Sequence, residues 1–343
     1  MKEFIKLSLF LCLFLCSRGE IQGQMPVSVK VYIDSALHIM QSKSLFGKNL
    51  NWHQIRDSAY VKAKDAKTYS EAFPAIVYGF QQLKDYHGMA MNETSSYRYP
   101  PPINFDEVLG EAIKKEFLKG PRIVTEYLAN DIGYLRIPSM NITNQEDIDQ
   151  RAKMLRDSLC SLLEKRPKSL IIDLRMNTGG NSAPMITGIE PLLTDTILGY
   201  GVDRDGKFLA PSKIRKGVAI DENGNKLANI QESCSNKVHI PMAVLIGKST
   251  ISSGEILAVY LKQQPNVKVF GESTPGFCSA TEGFLFMKNQ GYLLLSVNKI
   301  ADGKKYVYEE LSVKPDVYVK SNDDYDKLLD DPTISAAIKW LKK

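Results

Sequence analysis

The hydrophobic pattern divides the chain into two parts with different periods. Between residues 29 and 118, apolar side chains recur at helical spacing, for example at Phe73, Ile76 and Phe80. This spacing places them on one face of each helix, and that face needs a core to pack against. We therefore predict an N-terminal helical domain over residues 20–120.

After Gly120-Pro121, short apolar runs alternate with helical segments. This alternation predicts parallel strands joined by right-handed crossover helices, and so an α/β core over residues 121–343. A hairpin and a terminal helix complete the core, whereas residues 181–238 are expected to be mostly loop with short strands. The predicted strands are Ile132–Ile137, Ser169–Leu174, His239–Ile246 and Val267–Phe270, with a helix from about Ser253 between the last two.

The first twenty residues have the layout of an export signal, with lysines ahead of an apolar run that ends at Cys16. That run is too short to span a bilayer. Cleavage after Gly19 would remove residues 1–19 and leave an exported protein in the periplasm or cell envelope, or a secreted one. Cys16 leaves a lipid anchor open, although Leu15 is larger than the residue that lipoprotein processing prefers.

Charge and cysteine spacing exclude several classes of protein. The 44 Lys and Arg residues and the 39 Asp and Glu residues are spread along the chain, so nucleic acid is not an expected partner. No two cysteines have C-x-x-C spacing, and no structural metal is expected. Cys160, Cys234 and Cys278 follow the signal. Because their number is odd, at least one is expected to be free or to pair between chains.

Two loops are placed to carry chemistry, because reactive groups in an α/β sheet gather beyond the carboxyl ends of the strands. The first, residues 173–181, contains Gly179-Gly180, whose backbone can approach a substrate oxygen. The second, residues 247–255, places Ser252 at the start of a helix, where free amides can stabilise an oxyanion. Ser252-x-x-Glu255 is also the pattern of a capping box, and local sequence alone favours that interpretation.

A serine nucleophile needs a base, and His87 is the histidine placed to provide one. It follows a helix that ends near Leu83, and Gly88 halts that helix, which leaves the imidazole on a connection. The same position also suits a histidine that only interacts with the helix dipole. A carboxylate would have to orient the imidazole. The candidates, which local sequence does not rank, are Glu282, Glu309 and Glu310.

Five short segments together carry a family resemblance. They are IGYLRIP (132–138), LIIDLRMNTGG (170–180), TISSGE (250–255), VFGESTPG (269–276) and EELSVKPDVYV (309–319). In this order they resemble the C-terminal-processing serine peptidases, in particular the branch of the tricorn core protease and interphotoreceptor retinoid-binding protein. The likeness covers most of the mature chain. It implies an α/β core sheet with crossover helices, related to the crotonase and Clp protease folds.

The resemblance implies a role for each residue of a catalytic site. Ser252 would be the nucleophile, and the backbone N–H groups of Ser253 and Gly180 would form the oxyanion hole. His87, in an L-x-D-x-H segment, would be the general base. The lysine base of another branch of the family is excluded because Phe277 stands at its position.

The expected carboxylate lies in the last of the five segments. Glu309 matches the family's glutamate, with Glu310 as the second candidate, although Ser312 replaces the glycine of that motif. Tyr86 stands where the tricorn-like site has a serine. That supporting hydroxyl is therefore absent or comes from the phenol.

The sequence thus predicts an exported serine endopeptidase that cleaves a peptide or protein substrate through an acyl-enzyme, without a cofactor. The stretch between His87 and Ile132 is too short for the PDZ domain of many relatives, so the core or residues 181–238 would hold the substrate. The alternative is a catalytically inactive peptide- or lipophile-binding protein on the same scaffold. An acyl-coenzyme A enzyme is disfavoured, because export would separate it from that cofactor.

Overall fold

The computed structural model describes residues 25–128, 131–194, 196–230, 234 and 237–342. The predicted signal at residues 1–19, with Cys16, lies outside these residues. Within them, no helix combines the length and the apolar character needed to cross a membrane.

Three helices open the described chain: α1 (Val27–Lys43), α2 (Trp52–Lys62) and α3 (Tyr69–Leu83). The side chains of Asn51 and Thr68 accept amides in the first turns of α2 and α3, as helix N-caps do. Short elements lead on to the core. They are β1 (Met89–Asn92), β2 (Ser96–Tyr97), α4 (Phe105–Val108) and α5 (Glu111–Phe117).

The remaining strands and helices form the core. In chain order they are β3 (Val124–Leu128), β4 (Ile132–Arg136), α6 (Gln145–Glu164), β5 (Ser169–Asp173), α7 (Ser182–Gly188), β6 (Ile197–Val202), β7 (Phe208–Arg215), β8 (Val218–Ile220), β9 (Met242–Ile246), α8 (Ser253–Lys262), β10 (Val267–Gly271), β11 (Ser279–Phe286), β12 (Gly291–Asp302), β13 (Val317–Tyr318) and α9 (Pro332–Leu341).

A six-stranded sheet in the order β13-β10-β9-β5-β4-β3 forms the centre of the core. Neighbouring strands from β13 to β4 are parallel, and β3 pairs antiparallel at the edge. The central strands β4, β5 and β9 are buried on both faces, so their side chains alternate between two clusters. Ile172 and Val244 pack with α6, α7 and α8, whereas Ile171 and Ala243 pack with α9. The predicted α/β core is confirmed.

A second, antiparallel sheet has the order β2-β1-β12-β6-β7-β8, with β11 also paired to β12. The strands β6, β7 and β8, together with α7, lie within residues 181–238. That region is therefore more regular than the sequence predicts. Its strands are largely half-buried, so they lack the strong apolar alternation by which a strand is recognised.

The N-terminal helices pack on the antiparallel sheet. Tyr32 and Phe80, from α1 and α3, share a hydrophobic cluster with Phe286, Leu293 and Leu295 of β11 and β12. The helical part and the sheet thus bury each other's apolar surface. The division of the chain into domains at residue 120 stays a prediction.

Candidate active site

The two loops singled out in the sequence lie side by side at the carboxyl edge of the parallel sheet. They follow β5 and β9, which are neighbours in that sheet. Two side chains of the second loop tie it to the first: Ser249 Oγ donates to the Arg175 carbonyl over 2.7 Å, and Thr250 Oγ1 donates to the Leu174 carbonyl over 2.9 Å. These buried bonds fix the distance between the loops.

Ser252 begins α8 in a strained backbone conformation, with φ 56° and ψ −118°. Left-handed φ values are unfavourable for residues with a Cβ, and such strain is concentrated at functional sites. The Ser252 amide donates to Glu255 Oε2 over 2.8 Å, while the Glu255 amide donates to the Ser252 carbonyl over 2.9 Å. Ser252 and Glu255 thus form the capping box that the sequence pattern predicts, and the Ser252 hydroxyl also lies within hydrogen-bond distance of an imidazole.

His87 contacts this hydroxyl from the connection between α3 and β1. Its Nε2 lies 3.0 Å from Ser252 Oγ, although 165 positions separate the two residues. The helix α3 ends at Lys84, which has a left-handed φ of 55°. A Cβ on Gly88 would come within 2.5 Å of the Leu294 carbonyl oxygen, so glycine is needed for the connection to approach β12 this closely.

The other ring nitrogen of His87 faces hydroxyl groups. Nδ1 lies 2.8 Å from Ser279 Oγ, and Ser279 Oγ lies 3.1 Å from Ser296 Oγ. The Ser296 hydroxyl donates to Asp85 Oδ1 over 2.9 Å. A series of hydrogen bonds therefore connects the imidazole to a buried carboxylate.

The structure corrects the prediction that Glu309 orients His87. The Glu309 carboxylate is exposed and pairs with Lys299, and Glu310 pairs with Lys314 at 2.8 Å. The turn before β13 directs the buried Leu311 inward, so the glutamates before it face solvent. The partner of Nδ1 is a hydroxyl group and not a carboxylate.

Two other residues that the sequence suggested as partners of the imidazole do not contact it. The Tyr86 hydroxyl donates to the Gly276 carbonyl over 2.7 Å, so the phenol does not support the imidazole. Glu282 is exposed on β11. Phe277, which stands where a lysine base would be, packs edge-on against His87 with ring centroids 5.4 Å apart.

Gly180 and Ser253 line a cleft of about 620 Å³ together with Ser252 and Ser279. The amide of Gly179 is occupied, since it donates to Asn177 Oδ1 over 3.0 Å. Among the described residues, no acceptor is bonded to the amides of Gly180 and Ser253. Both amides are therefore able to bind an oxygen atom in the cleft.

Burial shifts the acidity of two groups beside Ser252. It lowers the pKa of His87 to about 4, with a smaller effect of the Arg98 charge, so the imidazole is neutral at pH 7. Burial also raises the pKa of Glu255 to about 8, although hydrogen bonds from Thr274 and from the Ser252 amide oppose the shift. A neutral imidazole beside a hydroxyl can accept its proton.

The sequence does not single out Ser279 and Ser296. Both are serines on strands, with no local motif, and they meet His87 only because β11 and β12 pair beside the connection that bears it. A sequence motif does mark Asp85, which is the aspartate of the L-x-D-x-H segment. No group of His, Cys, Asp and Glu side chains in the described ranges could hold a metal ion.

The fold and this site define an α/β protein with a serine and histidine pair at the carboxyl edge of a parallel sheet. Residues 131–319, more than half of the chain, match the model of peptidase family S41. The protein belongs to peptidase family S41, and the predicted resemblance to C-terminal-processing peptidases is confirmed.

Relatives of different length match the chain. The nisin-resistance protein of Lactococcus lactis subsp. lactis is 25% identical over 317 residues, which cover 92% of this chain and 88% of that protein. Carboxy-terminal processing protease CtpA of Bacillus subtilis is 31% identical over 165 residues, covering 48% of this chain and 30% of CtpA. Among solved structures, a lipoprotein from Streptococcus agalactiae has a TM-score of 0.69 and 25% identity, covering 93% of this chain and 98% of that one.

Proposed function

We propose that this protein is an exported serine endopeptidase that hydrolyses peptide bonds through an acyl-enzyme. Ser252 would attack the peptide carbonyl, and His87 would take its proton and then pass it to the leaving amine. The amides of Gly180 and Ser253 would stabilise the oxyanion. The observation that supports this most is the 3.0 Å contact between His87 Nε2 and Ser252 Oγ, because a base must reach the proton that it removes.

Labelling with a fluorophosphonate probe tests the nucleophile directly. The probe should modify the wild type at Ser252 and should leave Ser252→Ala unmodified. Ser169→Ala is the control: Ser169 starts β5, at the end of the sheet away from the cleft, so its variant should be labelled like the wild type. A folded wild type that is neither labelled nor able to cleave a mixture of peptides would favour the inactive binding protein on this scaffold.

The proposed substrate is a peptide or protein that enters the cleft beside Ser252. One relative, similar over 92% of this chain, is named for resistance to nisin, so protection against nisin is a second, narrower candidate function. Expression of the wild type in a nisin-sensitive bacterium should raise the inhibitory concentration, and Ser252→Ala should not. Equal resistance with both proteins would mean that any protection comes from binding alone.

Export is supported by the disulfide between Cys160 and Cys234, whose Cα atoms are 5.8 Å apart. Disulfides persist in oxidising compartments and are rare in a reducing cytosol. Cys278 is free and buried, which accounts for the odd number of cysteines after the signal. Fractionation and N-terminal sequencing should find the protein in the cell envelope, or secreted, and cut after Gly19. Labelling with a radioactive fatty acid would reveal an anchor on Cys16, which the similarity to a streptococcal lipoprotein makes worth testing.

A further inference from the structure

The hydrogen bonds behind His87 end at a carboxylate to which the proposed mechanism gives no role. Nδ1 of His87 lies 2.8 Å from Ser279 Oγ, and this oxygen lies 3.1 Å from Ser296 Oγ. The Ser296 hydroxyl donates to Asp85 Oδ1 over 2.9 Å. Ser279, Ser296 and Asp85 are 2%, 0% and 1% exposed, so water does not compete for these bonds.

Asp85 is surrounded by hydrogen-bond donors. Its oxygens accept from the backbone amides of His87, Gly88 and Ser296 and from the Ser296 hydroxyl. An ionised carboxylate only accepts hydrogen bonds, and donors on both oxygens favour that form against the burial that raises the pKa of Asp85. Asp85 is therefore the fixed acceptor at one end of the series.

A fixed acceptor gives every hydroxyl in the series a direction. The Ser296 hydroxyl donates to Asp85, so its oxygen must accept from Ser279. Because the Ser279 hydroxyl donates its one hydrogen to Ser296, its oxygen must accept from Nδ1–H of His87. With the hydrogen on Nδ1, Nε2 presents its lone pair to the Ser252 hydroxyl, and this is the tautomer that a general base requires.

A bulge in the sheet lies beside the series. The pairing of β11 with β12 shifts register between Ala280 and Thr281, one residue beyond Ser279. Bulges re-aim side chains and occur often beside active sites. Beside this shift, the Ser279 hydroxyl lies close to both the Ser296 hydroxyl and the imidazole.

We infer that Asp85, acting through Ser296 and Ser279, is a positioning residue that fixes the tautomer and the orientation of His87. The inference rests on the proposed role of His87 as the base. Two hydroxyl groups and a carboxylate would thus do what a directly bonded carboxylate does in other serine hydrolases.

Kinetics of serine variants test the series. Ser279→Ala and Ser296→Ala should each lower kcat by roughly ten- to a hundredfold with KM little changed, because a misaligned base loses part of its contribution. The double variant should be no worse than the worse single variant, since both break one series. Ser279→Thr keeps the hydroxyl and should retain most of the activity. Ser169→Ala is the matched control: Ser169 is 3% exposed and starts β5, at the end of the sheet away from the site.

The tautomer can be measured without substrate. The chain has four histidines, so ¹⁵N NMR signals of His87 can be assigned by their loss in His87→Gln. The wild type should show a protonated Nδ1 and an unprotonated Nε2 at pH 7. Ser279→Ala should shift the population toward Nε2–H, whereas Ser169→Ala should not. Asp85→Asn should produce the same shift if it folds, and the serine variants decide the matter if it does not.

The outcomes separate the two proposals. If the wild type cleaves peptides but Ser279→Ala and Ser296→Ala keep its kcat and its His87 tautomer, the positioning role is wrong and the base assignment stands. If the wild type neither cleaves nor takes the fluorophosphonate probe, the proposed function fails, and the NMR comparison still reports whether the series sets the tautomer.

Discussion

The two sheets supply different halves of the candidate site. The parallel sheet presents Ser252 and Gly180 on loops that directly follow β9 and β5, so each group belongs to a short continuous segment. The antiparallel sheet places Ser279 and Ser296 under His87, and these residues meet through strand pairing over long sequence distances. One half is thus determined by local sequence and the other by tertiary register.

The two halves should differ in how sensitive they are to substitutions elsewhere in the chain. A nucleophile at a helix start requires its own loop, whose strain and amides are built from adjacent residues. A base held by hydroxyl groups on strands requires that β11 and β12 keep their register, and a slip of one residue would turn Ser279 away. The imidazole environment should therefore be the more sensitive half to remote substitutions.

The largest loss of activity is expected when the contact between His87 and Ser252, which joins the two halves, is removed. His87→Ala and Ser252→Ala should each lower kcat/KM by roughly 10⁴-fold or more, and the double variant should be no worse than either, because the pair acts as one unit. Steady-state hydrolysis of a peptide substrate measures this. Near-normal hydrolysis by His87→Ala would mean that another residue is the base and that the two sheets do not form one catalytic site.

A second test concerns the parallel half alone. A Cβ on Gly180 would lie 2.4 Å from the Met140 carbonyl oxygen, and φ at Gly180 is 103°. Gly180→Ala should therefore displace the loop amide and lower kcat by about 10²- to 10³-fold, as loss of an oxyanion donor does. Peptide hydrolysis and fluorophosphonate labelling rates would measure it.

Gly206→Ala is the control for backbone strain. Gly206 also has a positive φ, 81°, but open space surrounds it in the turn between β6 and β7. Its variant should lose some stability and keep wild-type kcat. Equal losses of kcat in both glycine variants would mean that general strain, and not the oxyanion site, explains the effect at Gly180.

The pH dependence tests the antiparallel half. Because burial lowers the pKa of His87 to about 4, the base stays neutral well below pH 6.5, and kcat/KM should fall only as the pH approaches 4. The group also affects stability: the unfolded chain, with an ordinary histidine pKa near 6.5, binds the proton first. The stabilising contribution is therefore complete above about pH 6.5 and is lost as the pH falls toward 4.

An NMR titration of the His87 ring should match the acid limb of the kcat/KM profile. Burial raises the pKa of Glu255 to about 8. Glu255 therefore titrates on the alkaline side and does not contribute to the acid limb. An acid limb near pH 6.5 that follows the ring titration would mean that the imidazole is more hydrated in solution than its burial implies.

Prediction from sequence succeeded where the signal was local. The strands β4, β5 and β9 and the start of α8 follow the apolar pattern, and the motifs around Ser252 and His87 identify the two residues that the structure brings into contact. Residues 181–238 were harder to predict, because the half-buried strands β6, β7 and β8 show little apolar alternation.

The error at Glu309 has a different cause. A motif match gives a position in the chain, whereas the direction of a side chain depends on how the turn packs. Here the burial of Leu311 in the turn before β13 sends Glu309 to the surface. No local pattern could reveal that hydroxyl groups on β11 and β12 occupy the place of the expected carboxylate.

The smallest expected effect is therefore at Glu309. Its side chain is 65% exposed and its pair with Lys299 is a surface ion pair, which contributes little to stability. Glu309→Gln should change kcat/KM less than about twofold, since exposed substitutions away from a site are nearly neutral. Steady-state kinetics beside Ser279→Ala makes the contrast quantitative. A hundredfold loss in Glu309→Gln would instead mean that the turn before β13 moves onto His87 when substrate binds, so that both a surface carboxylate and the buried series orient the base during catalysis.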